Sequence, residues 1–275
     1  MLQPAAASVN EERRVAVCER ARRIRRRVVR MIHASGEGHY GGSLSMIDIL
    51  VVLFSFFIDR KRGDRFILSK GHAAPGYYAT LAEFDLIPES MLESYGRFGA
   101  ALQGHPDMTL EDAIDFSTGS LGQGLSAALG MALILRSTFA RAWVLLGDGE
   151  CQEGQIWEAA MLAARMGMSN LTAVIDANGY QECGYNRKGR SEEPVPDMAA
   201  KWRAFGWEAI EIDGHSHQDI FQGLAHLSIQ IKSPGVLIAH TIKGRGASLI
   251  EMDPNRFHCG QLSELEYRKV LEELQ

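Results

Sequence analysis

Val144-Leu145-Leu146-Gly147-Asp148-Gly149 is a short apolar run that ends in a carboxylate between two glycines. Further on, Leu171 to Ile175 makes a second such run and ends in Asp176-Ala177-Asn178-Gly179-Tyr180. Short apolar runs closed by glycine or polar residues fit buried strands. In a parallel βαβ unit the two strand ends are neighbours, so Asp148 and Asn178 are expected to face one another at the top of a sheet. A carboxylate, an amide oxygen and a nearby backbone carbonyl are hard oxygen ligands suited to Mg2+ or Ca2+. Mg2+ takes few protein ligands and fills its octahedron with phosphate oxygens and water, so the pair anticipates a bound diphosphate. Gly149, lacking a Cβ, lets the backbone approach a phosphate closely. Gly-Asp-Gly alone also fits a plain structural turn; the second strand and Asn178 at this spacing make it a metal and diphosphate signature.

Outward from this pair, Arg65 to Leu68, Trp207 to Ile212 and Val236 to His240 read as further strands. Ser126 to Ser137, Gln155 to Met166, Gln218 to Ile231 and a capped segment after Ser263 carry helical patterns. Strands alternating with helices predict an α/β fold, a mostly parallel sheet with helices on both faces. Ligands in such sheets bind at the carboxyl ends of the strands, where the glycines and acids lie. Ser8 and Glu11 have capping-box spacing, and Val15, Cys18, Ile24, Val28 and Ile32 then recur at helical intervals. Met46 to Ile58, with Asp48 inside it, is too short to span a bilayer and predicts a buried helix. Glu182 to Asp197 reads as a long ordered loop rather than a boundary. With no repeat or flexible linker, residues 1–275 are expected to form one domain.

The bulk numbers exclude several classes. At 46% hydrophobic, 23% charged and net charge −5, the chain is of ordinary soluble composition with no overall pull toward nucleic acid. The basic run from Arg13 to Arg30 reads as the solvated face of an amphipathic helix. Cys18, Cys151, Cys183 and Cys259 show no metal-ligand spacing and read as reduced thiols. The N-terminus lacks the order of a signal peptide, so a cytoplasmic protein is expected.

Further motifs fall in a fixed order. Ser35-Gly36-Glu37-Gly38-His39, Leu68-Ser69-Lys70-Gly71-His72, Gly104-His105-Pro106 and Ser117-Thr118-Gly119-Ser120-Leu121-Gly122-Gln123-Gly124 precede the Gly-Asp-Gly turn. Thr241-Ile242-Lys243-Gly244-Arg245-Gly246 and His258 follow it. This order resembles that of the transketolases, thiamine-diphosphate enzymes, over nearly the whole chain. It is most similar to the N-terminal subunits of split transketolases. The resemblance implies the thiamine-diphosphate-binding α/β fold, with the metal held by Asp148, Asn178 and the carbonyl of Tyr180. It places Gly149, His72 and His258 on the diphosphate, and Gly119 and Leu121 along the cofactor, with Leu121 near the aminopyrimidine. His39 and His105 would line the substrate channel near thiazolium C2, with His258 in the same catalytic set. Imidazole suits such proton transfers because its pKa lies near physiological pH. Glu153, counted with the cofactor-binding residues, matches an acid that faces the other subunit. His215 and His217 lack motif support and read as local structure before a helix capped by Ser216; His33, His226 and His240 also read as structural.

The implied reaction is transfer of a two-carbon ketol unit from a ketose phosphate to an aldose phosphate. In the family, a glutamate on a pyrimidine-binding domain activates the cofactor. The sequence stops at Gln275 without a second α/β domain, so a C-terminal transketolase subunit is the expected partner, in a heterotetramer. The pattern departs from the family at inserted Glu37-Gly38, at Tyr40-Gly41-Gly42 and at Ser120. These changes lie near the substrate channel or cofactor and leave the sugars open. A related carboligase subunit using a 2-oxo acid or an unusual sugar is the alternative, and a non-catalytic subunit is a second. A nicotinamide-binding protein is disfavoured, since the glycine-rich stretch after Thr118 lacks G-x-G-x-x-G spacing.

Overall fold

The computed structural model describes residues 11–110, 113–181 and 195–275. The expected cap at Ser8 and most of the segment from Glu182 to Asp197, with Cys183, lie outside them.

Five strands, β1 (Arg65–Leu68), β2 (Ala142–Gly147), β3 (Leu171–Ala177), β4 (Glu208–Asp213) and β5 (Gly235–His240), form one parallel sheet in the order β1-β2-β3-β5-β4. Around it lie α1 (Glu11–Ser35), α2 (Tyr40–Ser45), α3 (Ile47–Phe56), α4 (Ala74–Glu83), α5 (Gln123–Ile134), α6 (Gly154–Arg165), α7 (Met198–Ala204), α8 (His217–Ser228), α9 (Ser248–Met252) and α10 (Glu264–Glu273). Each predicted strand is present to within a residue or two. Ser263 caps α10 with the reciprocal bonds of a capping box to Glu266.

The central strands β2 and β3 are buried along their whole length because the sheet is covered on both faces. Val144, Leu146, Ala173, Ile175 and Ile238 pack in one cluster with Leu125 and Ala128 of α5 and Ile156 and Ala160 of α6. Trp143, Leu145, Val174 and Leu237 pack in the other with α1, α3, α4 and α8. The run from Ile47 to Leu53 is fully enclosed, as its apolar composition requires.

The buried stripe of α1 differs from the expected one. Val17, Ala21, Ile24, Val28 and Ile32 are buried, whereas Val15 is 48% exposed and Cys18 is also exposed. Positions 15 and 18 belong to a neighbouring stripe that turns away from α3 and α4 in the first helical turns. Most arginines do face outward, where Arg23 and Arg27 meet Glu83, and Arg27 also meets Glu89. Arg25 is the exception, only 7% exposed and paired with Asp48.

Two features escape a local reading. α2 contains Gly41 and Gly42, each costing about 1 kcal/mol in a helix interior. Tyr40 and Leu44 are completely buried there, and each such side chain contributes roughly 1.5–3 kcal/mol, so tertiary packing outweighs propensity. Gly124, in the first turn of α5, seats that helix against the end of β1. A Cβ there would stand 2.3 Å from the Ser69 hydroxyl and 2.9 Å from the Ser69 Cα. Gly124→Ala is therefore expected to destabilise by about 1–3 kcal/mol although alanine is the better helix former. A urea midpoint equal to or above that of the parent would contradict this close approach.

Candidate functional site

β2 and β3 pair with Gly147 opposite Asp176, so Asp148 leaves the sheet beside Ala177 and Asn178 follows one residue later. The two strand ends meet directly: Asp148 Oδ2 accepts from the Gly179 N–H at 2.6 Å, and Oδ1 accepts from the Gly149 N–H at 2.9 Å. Asn178 Oδ1 accepts from the Tyr180 N–H at 3.1 Å, which curls the loop and leaves each oxygen a second lone pair. Burial pushes the Asp148 carboxyl up to about 6, and Asp176 nearby acts in the same direction. A divalent cation at this carboxylate would favour its ionised form. Among the described residues no group of three His, Cys, Asp or Glu side chains is placed to hold a metal. What the turn brings together is one side-chain carboxylate, Asp148, and one side-chain amide oxygen, Asn178.

Beneath the turn runs a polar floor to which the sequence pattern alone assigns no role. Lys70, at the end of β1, is 1% exposed, and its Nζ lies 2.5 Å from Asp176 Oδ2 and 3.0 Å from the Gly42 carbonyl. Asp176 also accepts from Ser45 at 2.6 Å, from Asn178 Nδ2 at 3.3 Å and from the Thr241 hydroxyl. Burial alone would push Asp176 up; the charge of Lys70 and these hydrogen bonds hold it below the usual carboxylate range. Glu150, 2% exposed, accepts from the Ser69 hydroxyl at 2.5 Å, from Gly122 N–H at 2.9 Å and from Gly147 N–H at 3.0 Å. It ties the Gly-Asp-Gly turn to the loop carrying Gly119 and Leu121.

The wall beside the floor is imidazole and ammonium. His39, the residue preceding α2, has its ring centroid 5.3 Å from those of both His72 and His258, which lie 6.0 Å from each other. The insertion before His39 thus leaves it inside the cluster. Lys243 Nζ lies 2.7 Å from His258 Nδ1 and 5.6 Å from the Tyr180 ring centre. α2 admits this lysine because a Cβ on Gly41 would fall 2.8 Å from its stem. Burial first, then the positive charge of Lys70, pulls Lys243 down to about 8; burial and then Lys243 pull His258 down to about 4. His72 is driven well below its ordinary value, by burial first and then by Lys70. At neutral pH these two imidazoles are uncharged and Lys243 is mostly an ammonium. That ammonium donates, so His258 Nδ1 accepts and its proton sits on Nε2.

His105 is exposed and packs against Gly119, where an added Cβ would come within 3.1 Å of its ring. Leu121 is half-buried, and Glu153 is exposed at the start of α6 beside Gly122. The other histidines stand elsewhere. His33 stacks on Tyr267, His226 pairs with Glu208 and His240 with Glu211. His215 and His217 both bind Asp48.

A diphosphate and metal fit this arrangement. Lys70 is neutralised by Asp176, but among the described residues Lys243 meets no carboxylate in an ion pair, so the wall presents uncompensated positive charge. A diphosphate held at this wall, with a cation held by Asp148, would balance both charges.

The chain matches the family described as transketolase, thiamine diphosphate binding domain, over residues 18–274. It is 39% identical over 249 residues to the 6-deoxy-6-sulfo-D-fructose transketolase subunit SqwG of Clostridium sp. (strain MSTE9), covering 87% of this chain and 90% of that one. To a subunit of the apulose-4-phosphate transketolase of Phocaeicola vulgatus it is 35% identical over 260 residues, covering 91% and 90%. The crystal structure of transketolase from Campylobacter jejuni superposes with a TM-score of 0.84 at 27% identity, covering 97% of this chain but 43% of that one. The chain thus spans nearly all of the two subunits and under half of a full-length transketolase. Sequence and backbone agree along almost its whole length, and the chain belongs to the transketolase family, whose thiamine-diphosphate-binding domain it carries.

Proposed function

We propose that this chain is the cofactor-binding subunit of a two-chain transketolase that moves a two-carbon ketol unit from a ketose phosphate to an aldose phosphate. The observation that carries the reading is the meeting of Asp148 and the Asn178 loop near Lys243, which among the described residues is in no ion pair with a carboxylate. Asp148, Asn178 and the Tyr180 carbonyl would hold Mg2+, or Ca2+, since both accept these oxygens. Lys243, His72, His258 and the Gly149 backbone would take the diphosphate. Thiamine diphosphate, held there, would supply the nucleophilic carbon and the electron sink that ketol transfer needs. His258, kept neutral and with its proton on Nε2, can donate a hydrogen bond to a sugar oxygen without placing a charge in the buried wall. His39 and His105 are placed to hold or move protons at substrate hydroxyls. Gly119 and Leu121 would lie along the cofactor, and Glu153, exposed at the turn after Gly149, would face a neighbouring subunit.

Support for a partner comes from the names of the two relatives, each called a subunit of a transketolase. A C-terminal chain with the pyrimidine-binding domain would complete the site, in a heterotetramer of two copies each. Residues 1–275 would form one domain in this assembly, and sugar phosphates as reactants favour a cytoplasmic enzyme. A 2-oxo acid donor is not needed to account for these relatives.

Ketol transfer is expected only when this chain, thiamine diphosphate, Mg2+ and the pyrimidine-domain chain are mixed, with both chains in one complex by light scattering. Transfer at the full rate by this chain alone would refute the two-chain reading.

A further inference from the structure

Away from the cofactor wall, side chains from three helices meet in a row. Cys18 of α1 is exposed and in no disulfide, and its Sγ lies 3.5 Å from Nδ1 of His217, the first residue of α8. His217 Nε2 lies 2.9 Å from Oδ1 of Asp48 in α3. The side chains of His217 and Asp48 are only 11% and 7% exposed, so the sulfur is the one member of the row that solvent reaches freely. Asp48 also accepts from Arg25 at 2.6 and 3.3 Å, and from His215 Nδ1 at 2.8 Å.

Donor counting fixes the protons. Burial would push Asp48 up, but the charge of Arg25 and the bonds from His215, His217 and Arg25 hold it well below the carboxylate range, so it is ionised. A carboxylate only accepts; both imidazoles must turn an N–H toward it. His215 provides an independent check. Its Nε2 must then be an acceptor, and the Ile242 backbone N–H donates to it at 2.8 Å. His217 likewise turns its Nε2 hydrogen to Asp48, and in the neutral ring Nδ1 is then the acceptor that faces the Cys18 thiol. A thiol beside a bare imidazole nitrogen, with a carboxylate holding the ring, is the arrangement that activates a sulfur nucleophile.

We propose that Cys18 is a reactive thiol and a site of oxidation by hydroperoxides, with His217 as its base and Asp48 positioning that base. The thiol proton passes to His217 Nδ1, and the thiolate attacks the terminal oxygen of the hydroperoxide. An S–O bond forms as the O–O bond breaks, and sulfur is oxidised by two electrons to a sulfenic acid. The peroxide is reduced by the same two electrons, and its departing alkoxide or hydroxide takes the proton back from His217 as alcohol or water. None of these residues belongs to the ketol-transfer machinery, so the site is separable from the proposed catalytic activity.

The test follows alkylation of the full-length folded chain by iodoacetamide at neutral pH, reading each cysteine peptide by mass spectrometry. Cys18 is expected to react about ten times faster in the folded chain than in the same chain unfolded in guanidinium chloride. His217→Gln, which keeps an N–H for Asp48 but offers no base, is expected to bring Cys18 down to the unfolded rate. Cys151, fully buried, should stay unlabelled in the folded parent and variant alike, which separates loss of the base from loss of the fold. Hydroperoxide followed by dimedone should label Cys18 in the parent and not in His217→Gln. A folded Cys18 that reacts no faster than the unfolded one, or a His217→Gln chain that matches the parent, overturns the proposal.

Discussion

Asp148→Ala is expected to weaken Mg2+-dependent binding of thiamine diphosphate by at least about 100-fold, or roughly 2.7 kcal/mol. The carboxylate is the one anionic side chain in the proposed metal set, and the remaining amide and carbonyl oxygens bring no charge to balance the cation. The same side chain accepts from Gly149 and Gly179, so its removal also leaves two backbone donors unpaired. Asp148→Asn separates these roles, because it keeps one oxygen for Gly179 while losing the charge. Its cofactor affinity should fall nearly as far as that of the alanine variant, with a smaller loss of stability. Calorimetry with unchanged affinity in the asparagine variant would sink the metal assignment.

The second large effect is expected beneath the site. Lys70→Met would strand Asp176, which is fully buried, without its cation, and breaking a buried pair from one side costs about 3–5 kcal/mol. The three hydrogen bonds from Ser45, Thr241 and Asn178 soften this cost without supplying charge. Adding Asp176→Leu should return much of the loss, since an apolar pair of similar volume replaces an ion pair at little net cost. Denaturant midpoints of the single and double variants decide the matter. A single variant within about 1 kcal/mol of the parent, the value of an exposed pair, would mean that the lysine is not what secures the strand ends.

These two sites differ in how readily they can be read from the chain. Asp148 and Asn178 are legible because each lies just past a largely apolar run, and parallel strands bring successive ends together. His39, His72 and His258 meet as their motifs lead one to expect, although no local spacing brings residues 39, 72 and 258 to one wall. Lys70 and Asp176 are hidden for a physical reason. A lysine in a polar segment is normally solvated, and only the register of β1, β2 and β3 reveals that this one reaches across β2 to an acid on β3. Lys243 is similar: its burial depends on Gly41, about two hundred residues away, having no side chain. The strands and long helices follow from their periodicity. α2 and the shift of the α1 stripe do not, because packing partners rather than propensity decide them.

The outer strand of the sheet bears on how the protein behaves in a crowded solution. Within the described residues β4 pairs only with β5; on its other edge Arg203 donates to the Ala209 carbonyl, and no strand takes up the remaining backbone groups. Such edges seed aggregation unless charge protects them. β4 reads Glu208-Ala209-Ile210-Glu211-Ile212-Asp213, with acids at both ends and in the middle. A second copy approaching edge to edge, parallel or antiparallel, would bring these carboxylates against their own kind. The acids of β4 thus act as gatekeepers, keeping an open sheet from growing into a fibre.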